Sequence, residues 1–384
     1  MKSLASVPMG ELLVEKSHKV AVDATSVYHM AGISSYAQGL FEKPAISGAE
    51  TGYKVFHRIE AGQLVLSTLK GWEGALTVAD SRFANRFMPP HNLLFDMNPD
   101  AVEGGYIGWA IRRSKVWAAL KHASKGMGAR RETVNAADLL AIEIPLPSLT
   151  EQRAIVSRLD RAESAVATRG NAAADVTTEI EATLRAAFVR IIADAPRVAM
   201  GDIAPLVRRP VTIDPDGSYP ELGVRSFGKG LFEKPDLVGA ELTWQSLYRI
   251  EEGDLVFSNI KAWEGAFAVA EREHHGKHGS HRYLTCVPDA GRATAPFLWY
   301  YLQSEEGLYQ VGKASAGSAD RNRTLATKRL QAMKVPVPSL DAQLWLDGLQ
   351  AKARAAKAAQ TEATEHLDQL LPAMLDEVFG SSAL

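Results

Sequence analysis

Helical periodicity dominates the middle of the chain, between Ser148 and Ala195. Apolar or small residues recur there in steps of four and three, the narrow seam of a coiled coil. Ser148, followed three residues later by Glu151, fits a capping box, and two prolines just upstream prevent the helix from extending backwards. The pattern predicts one helix from Thr150 to Ala193, about 65 Å long at 1.5 Å per residue. The predicted seam residues are Ile155, Leu159, Ala162, Val166, Ala173, Val176, Ile180 and Leu184.

A helix of this length is not stable alone in water and needs a partner seam. A second helical pattern, from Asp341 to Phe379, supplies one, although Pro372 is expected to kink or restart it. In the first helix Arg169 falls on a seam position, which indicates a local break or a register-setting polar contact. We expect the two helices to pack antiparallel. The apolar positions of the second helix are Leu344, Leu349, Leu367, Leu370, Leu371, Met374, Leu375 and Val378.

The sequence is written twice. GLFEKP begins at Gly39 and again at Gly230, and WEGA begins at Trp72 and again at Trp263, an offset of 191 residues in both cases. IPLPSL at Ile144 and VPVPSL at Val335 keep the same offset. A constant offset over the whole length indicates a tandem duplication of a globular portion followed by a long helix.

Each globular portion has a mixed pattern. Short apolar runs bounded by glycine turns predict strands, and two aromatic-rich runs predict helices over Tyr106–His122 and Phe297–Tyr309. The predicted fold is α+β: two mixed α/β domains separated by two long antiparallel coiled-coil helices, as a pseudo-two-fold tandem repeat. The predicted domains are residues 1–149, the central helix 150–196, residues 197–340 and the C-terminal helix 341–384. The predicted strands are Tyr53–Glu60, Gln63–Ser67, Leu76–Ala79, Ser246–Glu251, Asp254–Ser258 and Phe267–Ala270.

Composition indicates the class of protein and the compartment in which it acts. The hydrophobic share of 46% and the charged share of 23% are ordinary for a globular protein. A single cysteine, Cys286, excludes an internal disulfide framework and fits a reducing compartment. With no apolar run of membrane-spanning length and no secretory signal pattern, we expect a cytoplasmic protein without membrane contact. A net charge of −2 permits nucleic-acid binding only if charge is locally sorted.

The sequence contains no motif for catalysis. A phosphate-binding glycine loop, HExxH and CxxC are absent, as are the motifs of adenine methyltransferases. The histidine group HHGKHGSH (His274, His275, His278 and His281) has no counterpart in the first copy. We therefore interpret it as a solvated basic loop rather than a metal site.

The segment PLPSLTEQRAIVSRLD, beginning at Pro145, resembles the central conserved region of the specificity subunits of type I restriction-modification systems. The preceding RxxTVNAADLLAIEIPLP pattern, LSTLKGWEGALTVA and VFSNIKAWEGAFAVA look like the target recognition domains of that family. The order of recognition domain, helix, recognition domain, helix is similar over nearly the whole chain. The second copy, PSLDAQLWLD, departs from the pattern because it lacks the glutamate of the first.

The resemblance implies a non-catalytic subunit that reads a bipartite sequence in double-stranded DNA, one half per recognition domain. It implies two methyltransferase (M) subunits as partners, joined by restriction (R) subunits. S-adenosylmethionine, ATP and Mg²⁺ are then expected on those partners and no cofactor or metal on this chain. The coiled coil would set the spacer and dock the methyltransferases. The alternatives are the recognition subunit of another methylation-guided defence system and a protein–protein scaffold that does not bind DNA.

Residue type and recurrence select the candidate DNA contacts. Arginine to guanine and asparagine to adenine are standard major-groove pairings, whereas the two lysines before WEGA are expected on phosphates. Trp72 and Trp263 are expected in the core, and Glu73 and Glu264 in structural roles. The candidates are Ser35, Tyr36, Lys70, Arg130, Arg131, Arg225, Lys229, Lys261, Arg321, Asn322 and Arg323.

Candidate docking residues for the methyltransferases lie on the helix seams: Ile155, Leu159, Val166, Val176, Ile180, Leu184, Leu367, Leu371 and Leu375. The loops before GLFEKP differ between the copies, either because the half-sites differ or through neutral surface drift. Since the copies are otherwise alike, related half-sites approaching an interrupted palindrome are predicted.

Overall fold

A computed structural model of the chain describes residues 5–123, 133–242, 246–317 and 323–380. The chain divides into two compact units. Unit 1 comprises Met1–Ala173 with Thr361–Leu384, and unit 2 comprises Ala174–Gln360. Each long helix therefore contributes one part to each unit.

Unit 1 is built on short antiparallel strands. The strands are β1 (Ser6–Pro8), β2 (Leu13–Glu15), β3 (His18–Ala21), β4 (Val27–Tyr28), β5 (Ala31–Ile33), β6 (Leu40–Glu42), β7 (Ile46–Ser47), β8 (Val55–Arg58), β9 (Leu64–Ser67), β10 (Leu76–Val78), β11 (Phe87–Met88), β12 (Asn92–Met97) and β13 (Glu143–Pro145). The largest sheet has the order β10-β9-β12-β2, and a second sheet has the order β11-β8-β3. Strand β9 is buried on both faces, and its sequence is accordingly a continuous apolar run rather than an alternating one.

The helices of unit 1 are α1 (Gly104–Ala110), α2 (Ser114–Ala123) and α3 (Ala136–Leu140). The prediction of one helix over Tyr106–His122 is wrong, because the chain turns between α1 and α2. The Trp117 indole N–H donates to the carbonyl of Ile111 at 2.7 Å, across the break. This contact fixes α2 against the end of α1.

The first long helix is α4 (Leu149–Ile192), with 44 residues, about 66 Å at 1.5 Å per residue. The predicted capping box is confirmed. The backbone N–H of Ser148 donates to the Glu151 carboxylate at 2.9 Å, and the backbone N–H of Glu151 donates to the Ser148 hydroxyl at 3.4 Å.

Unit 2 repeats the pattern of unit 1. Its largest sheet, β15-β24-β21-β22, joins the counterparts of β2, β12, β9 and β10 in the same adjacency. The predicted duplication is thus confirmed at the level of strand pairing. The strands are β14 (Arg197–Ala199), β15 (Leu206–Val207), β16 (Ser218–Tyr219), β17 (Leu222–Val224), β18 (Leu231–Glu233), β19 (Leu237–Val238), β20 (Leu247–Arg249), β21 (Leu255–Ser258), β22 (Phe267–Val269), β23 (His278–Ser280), β24 (Tyr283–Cys286), β25 (Ser315–Ala316), β26 (Thr324–Leu325) and β27 (Lys334–Pro336).

The helices of unit 2 are α5 (Met200–Ile203), α6 (Ala295–Gln303), α7 (Glu305–Ala314) and α8 (Thr327–Ala332). The predicted single helix over Phe297–Tyr309 is also wrong. Ser304 has an extended backbone and its hydroxyl accepts the N–H of Gly307 at 3.2 Å. It ends one helix and caps the next.

The second long helix is α9 (Leu340–Phe379), which continues through Pro372 without restarting. In unit 2 it runs antiparallel to α4, since Thr177 hydrogen-bonds to Gln360 and Glu181 pairs with Lys357. In unit 1 Arg158 pairs with Glu377. The aromatic ends of both helices, Phe188 and Phe379, lie in the cores of their own units.

The predicted seams need correction at three residues. Val176 is 48% exposed, and the neighbouring Thr177 is the half-buried residue that contacts Gln360. Arg169, at the position that the heptad pattern assigns to the seam, is also exposed. The half-buried residues in this stretch are Val166, Ala173, Thr177 and Ile180, so the seam lies one residue C-terminal to the position that the apolar pattern selects. In α9, Leu344 and Leu370 are likewise exposed rather than in the seam.

A buried glutamine joins each long helix to its domain. The Gln152 amide donates to the carbonyls of Pro147 and Ala101 at 2.9 and 3.1 Å, and its oxygen accepts from the Glu103 backbone N–H at 2.9 Å. Gln343, 191 residues later, makes the equivalent three bonds at 2.9, 3.0 and 3.0 Å. Both side chains are fully buried and fully satisfied, which fixes the direction of each helix at its start.

Candidate nucleic-acid interface

Each unit has a turn that contains its WEG sequence and lies a few residues after a buried strand, β9 in unit 1 and β21 in unit 2. The turn is a single turn of 3-10 helix, Gly71–Glu73 in unit 1 and Ala262–Glu264 in unit 2. Gly74 and Gly265 close the two turns with φ of 76° and 77°, a left-handed conformation that favours glycine. The shared sequence therefore encodes the same local backbone in both copies.

A hairpin loop is docked on each turn. In unit 1 the loop 34–39 joins β5 to β6, and the backbone N–H groups of Tyr36 and Ala37 donate to the carbonyls of Glu73 and Gly74 at 2.9 and 2.8 Å. In unit 2 the loop 225–230 joins β17 to β18, and Phe227 and Gly228 donate to the equivalent carbonyls at 2.8 and 3.1 Å. We call each combination the paired loops: residues 34–39 with 69–74, and residues 225–230 with 260–265.

A glutamate inside each turn ties the paired loops together. Glu73 accepts the Ser35 hydroxyl at 2.9 Å, and the Lys70 ammonium lies 3.5 Å from the same carboxylate. Glu264 accepts the Ser226 hydroxyl at 2.9 Å and the Lys261 ammonium at 2.6 Å. The hydrogen bond from Lys261 lowers the pKa of Glu264 below its usual value. The two glutamates thus have the structural role expected for them, as anchors between the loop and the turn.

The docked loops hold aromatic side chains in an unfavourable backbone conformation. Tyr36 has a φ of 59° and Phe227 a φ of 62°, which costs about 1–2 kcal/mol for a residue with a side chain. Yet these side chains are 60% and 73% exposed. Leu69 and Ile260, at equivalent positions of the turns, are also exposed large apolar residues. The strain is therefore not compensated by burial of the aromatic rings.

The two tryptophans differ in their surroundings. Trp72 packs against the core of unit 1, as predicted, and its indole N–H donates to the Leu69 carbonyl at 3.2 Å. Trp263 carries two cations on its ring: the Lys261 ammonium lies 5.6 Å and the Arg323 guanidinium 4.8 Å from the ring centroid. These contacts place Arg323 beside the paired loops of unit 2.

All seven DNA-contact candidates that lie within the described residues thus fall on the paired loops or beside them. Ser35, Tyr36 and Lys70 lie together in unit 1, and Lys261 with Arg323 in unit 2. In the second loop, Arg225 is exposed with its guanidinium 4.7 Å from the Phe232 ring centroid, and Lys229 is exposed. Arg130, Arg131, Arg321 and Asn322 lie outside the described residues. Contact of any of these residues with DNA stays a prediction.

The candidate docking residues are found mainly in the helix seams. Leu159 is fully buried in the core of unit 1, and Ile155, Leu371 and Leu375 pack against that core. Val176 is exposed. The remaining candidates are half-buried: Val166, Ile180, Leu184 and Leu367. Their role in docking also stays a prediction.

The histidine group is spread over a turn and a strand. His278 is half-buried, with Nδ1 3.2 Å from the carbonyl oxygen of Pro220, and burial lowers its pKa. Over the described ranges no group of three or more histidine, cysteine or acidic side chains is arranged to hold a metal ion. Within the same ranges no helix is long and apolar enough to cross a membrane.

Sequence reasoning missed two features. The serine–glutamate anchors link residues 38 positions apart, so no local pattern reveals them, although both partners recur at the offset of 191. Unit 2 also contains an ion pair with a buried carboxylate, in which half-buried Arg209 donates two bonds to the 1%-exposed Asp254 at 2.7 and 3.1 Å. Its counterparts in unit 1 are His18 and Gln63, so the repeat gives no signal for this pair.

No protein-family model and no curated protein matches the sequence. Solved structures do match over the whole chain. The HsdS subunit from Thermoanaerobacter tengcongensis is 19% identical with a TM-score of 0.65, and the match covers 100% of this chain and 98% of that one. A chain from a study of complex assembly and conformational transition of the type I restriction-modification system is also 19% identical, with a TM-score of 0.70 and coverage of 100% and 99%.

The S subunit of the type I restriction-modification system from M. genitalium is 14% identical, with a TM-score of 0.51 and coverage of 99% and 97%. The likeness extends to the long helices as well as to both domains, because nearly every residue of each chain is included. The chain therefore has the fold of type I restriction-modification specificity subunits, and the predicted α+β class with its tandem repeat is confirmed.

Proposed function

We propose that this chain is the sequence-specific DNA-recognition subunit of a type I restriction-modification complex. Each unit would read one half of a bipartite target in double-stranded DNA through its paired loops. The observation that carries the proposal is the full-length fold likeness to specificity subunits, combined with a site that is built twice with the same anchors.

The chemistry of the site supports recognition. Exposed Lys70 and Lys261 supply positive charge for phosphate oxygens, and arginine offers two parallel donors to guanine in the major groove. The anchoring hydrogen bonds hold the lysine-bearing turn and the docked loop together, which limits the conformational freedom that binding must remove. Phosphate contacts would position each unit, and base contacts would specify the sequence.

Methylation and cleavage would be performed by other subunits. We propose that two methyltransferase subunits, which use S-adenosylmethionine, dock on the long helices. Restriction subunits dependent on ATP and Mg²⁺ then join the complex. This chain would hold no cofactor and would act in the cytoplasm. One of the similar solved structures was determined to describe the complex assembly of the type I restriction-modification system, which supports the proposal.

Long-read methylation mapping tests the function directly. Cells that express this chain together with its methyltransferase partner should show one methylated motif with two short halves and a gap of fixed length. Cells with the methyltransferase alone are the control. If the methyltransferase produces the same methylation pattern with and without this chain, the proposed function is rejected.

A further inference from the structure

The exposed aromatic residues Tyr36 and Phe227 occupy equivalent positions of the two paired loops. Both have a left-handed backbone, with φ of 59° and 62°, and both are exposed by more than half. Glycine would adopt this conformation without strain, so an aromatic residue at this position is not favoured by the backbone. Residues held in such conformations cluster at binding sites, where the surrounding structure maintains them.

The maintaining structure is present twice. The backbone N–H of each aromatic residue donates to the carbonyl of the anchoring glutamate, at 2.9 Å for Tyr36 and 2.8 Å for Phe227. The preceding serine donates to the same glutamate's carboxylate at 2.9 Å in both units. The next residue of each loop also donates its backbone N–H to the carbonyl of the closing glycine, at 2.8 Å in unit 1 and 3.1 Å in unit 2. Three consecutive residues of each loop are thus bonded to the turn, which fixes the backbone that carries the aromatic side chain.

Packing does not account for these side chains. Tyr36 has an edge-on contact with Trp117, with ring centroids 5.6 Å apart, but more than half of its surface stays exposed. Phe227 is 73% exposed and has no polar atom that water or a hydrogen-bond donor could satisfy. Its ring is suited only to an apolar or stacking contact with a partner.

Charge selects the class of partner. The loop of Phe227 also carries the exposed Arg225 and Lys229, and Lys261 lies on the adjoining turn. In unit 1 the exposed Lys70 is bound to the same glutamate as Ser35. An exposed apolar ring on a loop that carries two cations, beside a turn that carries a third, matches a nucleic acid, which offers phosphates outside and apolar base surfaces inside.

We propose that Tyr36 and Phe227 contact the bases of the two half-sites through their apolar rings, with Glu73 and Glu264 as positioning residues. The inference rests on the proposed function and adds the identity of specificity-determining residues. The shared chemistry is an apolar base surface. It is either the methyl group of a thymine in the major groove or the face of a base at a partly unstacked step.

Phe227→Ala is the decisive variant, tested in the complex of the full chain with its methyltransferase subunits. Binding to the mapped target duplex should weaken about 10-fold, since an aromatic contact to one base is worth roughly 5- to 150-fold on alanine substitution. The loss should be confined to sequences of one half, so that the methylation map relaxes in that half alone. Tyr36→Ala should relax the other half. Tyr309→Ala, which removes a 62%-exposed aromatic residue from α7, is the matched control and should change nothing.

Two modified duplexes distinguish the sources of the apolar surface. Replacement of each thymine by deoxyuridine removes one methyl group, and one position should weaken wild-type binding but not Phe227→Ala binding if the methyl group is the contact. A 2-aminopurine scan should instead show a fluorescence rise at one position, absent in Phe227→Ala, if the ring contacts an unstacked base.

Three results would overturn the inference. The first is unchanged affinity and an unchanged map for Phe227→Ala. The second is loss of methyltransferase assembly in that variant, measured by sedimentation, because the ring would then be a protein contact. The third is equal relaxation of both halves. A wild-type complex that binds no DNA would reject the proposed function itself, and is recognised before any variant is made.

Discussion

The anchor glutamate of unit 2 allows the most informative single substitution. Glu264→Gln keeps the shape of the side chain but replaces its charged carboxylate by a neutral amide. The carboxylate accepts hydrogen bonds from Ser226 at 2.9 Å and from Lys261 at 2.6 Å. A hydrogen bond to a charged group contributes about 1.5–3 kcal/mol and a neutral one about 0.5–1.5 kcal/mol, so the change costs about 1–2 kcal/mol. For the bond from Lys261 we use the lower end of the range for charged groups, because the lysine side chain is 48% exposed and its charge is screened by solvent.

This loss is comparable with the strain that the anchor opposes. The left-handed conformation of Phe227 costs about 1–2 kcal/mol, so weakening the anchor should let the loop leave the turn. At 1.4 kcal/mol per factor of ten, the equilibrium constant for docking of the loop on the turn should fall roughly 5- to 30-fold. Binding of the assembled complex to its duplex should weaken by up to the same factor, with the methylation map relaxed in one half. Glu73→Gln is the matched variant and should relax the other half.

The pH dependence provides an independent check on the same anchor. Because Lys261 lowers the pKa of Glu264, the anchor's contribution is complete above the usual glutamate pKa of 4.5 and is lost as the pH falls through the lowered value. The acid-side loss of binding should therefore be smaller in Glu264→Gln than in the wild type. If Glu264→Gln leaves the affinity and both halves of the map unchanged, or relaxes both halves equally, the assigned anchoring role is refuted.

Three further predictions concern the scaffold. Leu159→Ala, at a fully buried position, should destabilise the protein by about 2–5 kcal/mol in denaturant unfolding, whereas Val176→Ala, at an exposed one, should change it by less than about 0.5 kcal/mol; equal effects would contradict the corrected seam. Arg209→Met leaves the buried Asp254 carboxylate without its bidentate partner and should cost about 3–5 kcal/mol in denaturant unfolding. Arg208→Met removes only hydrogen bonds to the carbonyls of Tyr283 and His281 and should cost less. Burial raises the pKa of the Cys286 thiol to about 12, so the thiol should resist alkylation at pH 8 until unit 2 unfolds; rapid labelling of the native protein would contradict its burial.

Local signals in the sequence predicted the long helices well. The expected range Thr150–Ala193 differs from α4 by one residue at each end, because the capping box and the apolar steps lie within the helix itself. The predicted strand Asp254–Ser258 likewise differs from β21 (Leu255–Ser258) by one residue, since its apolar run closely follows a glycine turn. Features encoded within a few neighbouring residues were therefore accessible.

Features that depend on residues far apart in the sequence could not be predicted from local patterns. The apolar pattern selected Val176 for the seam, but the contact of Thr177 with Gln360 places the adjacent residue there. The break at Ser304 is an exception, because it is a local cap that the pattern missed: the hydroxyl accepts from Gly307 three residues later, within a sequence that is otherwise helical. The paired loops require serine and glutamate residues 38 positions apart to meet, which only the folded sheet arranges.

The central claim is that each globular portion reads one half of a gapped target. It is tested most directly by a chain in which residues 197–339 are replaced by residues 6–148, expressed with the methyltransferase partner and analysed by long-read methylation mapping. The account predicts a gapped motif whose two halves are copies of one wild-type half, in inverted orientation. A motif that keeps both wild-type halves, or one with no relation to either, would contradict it.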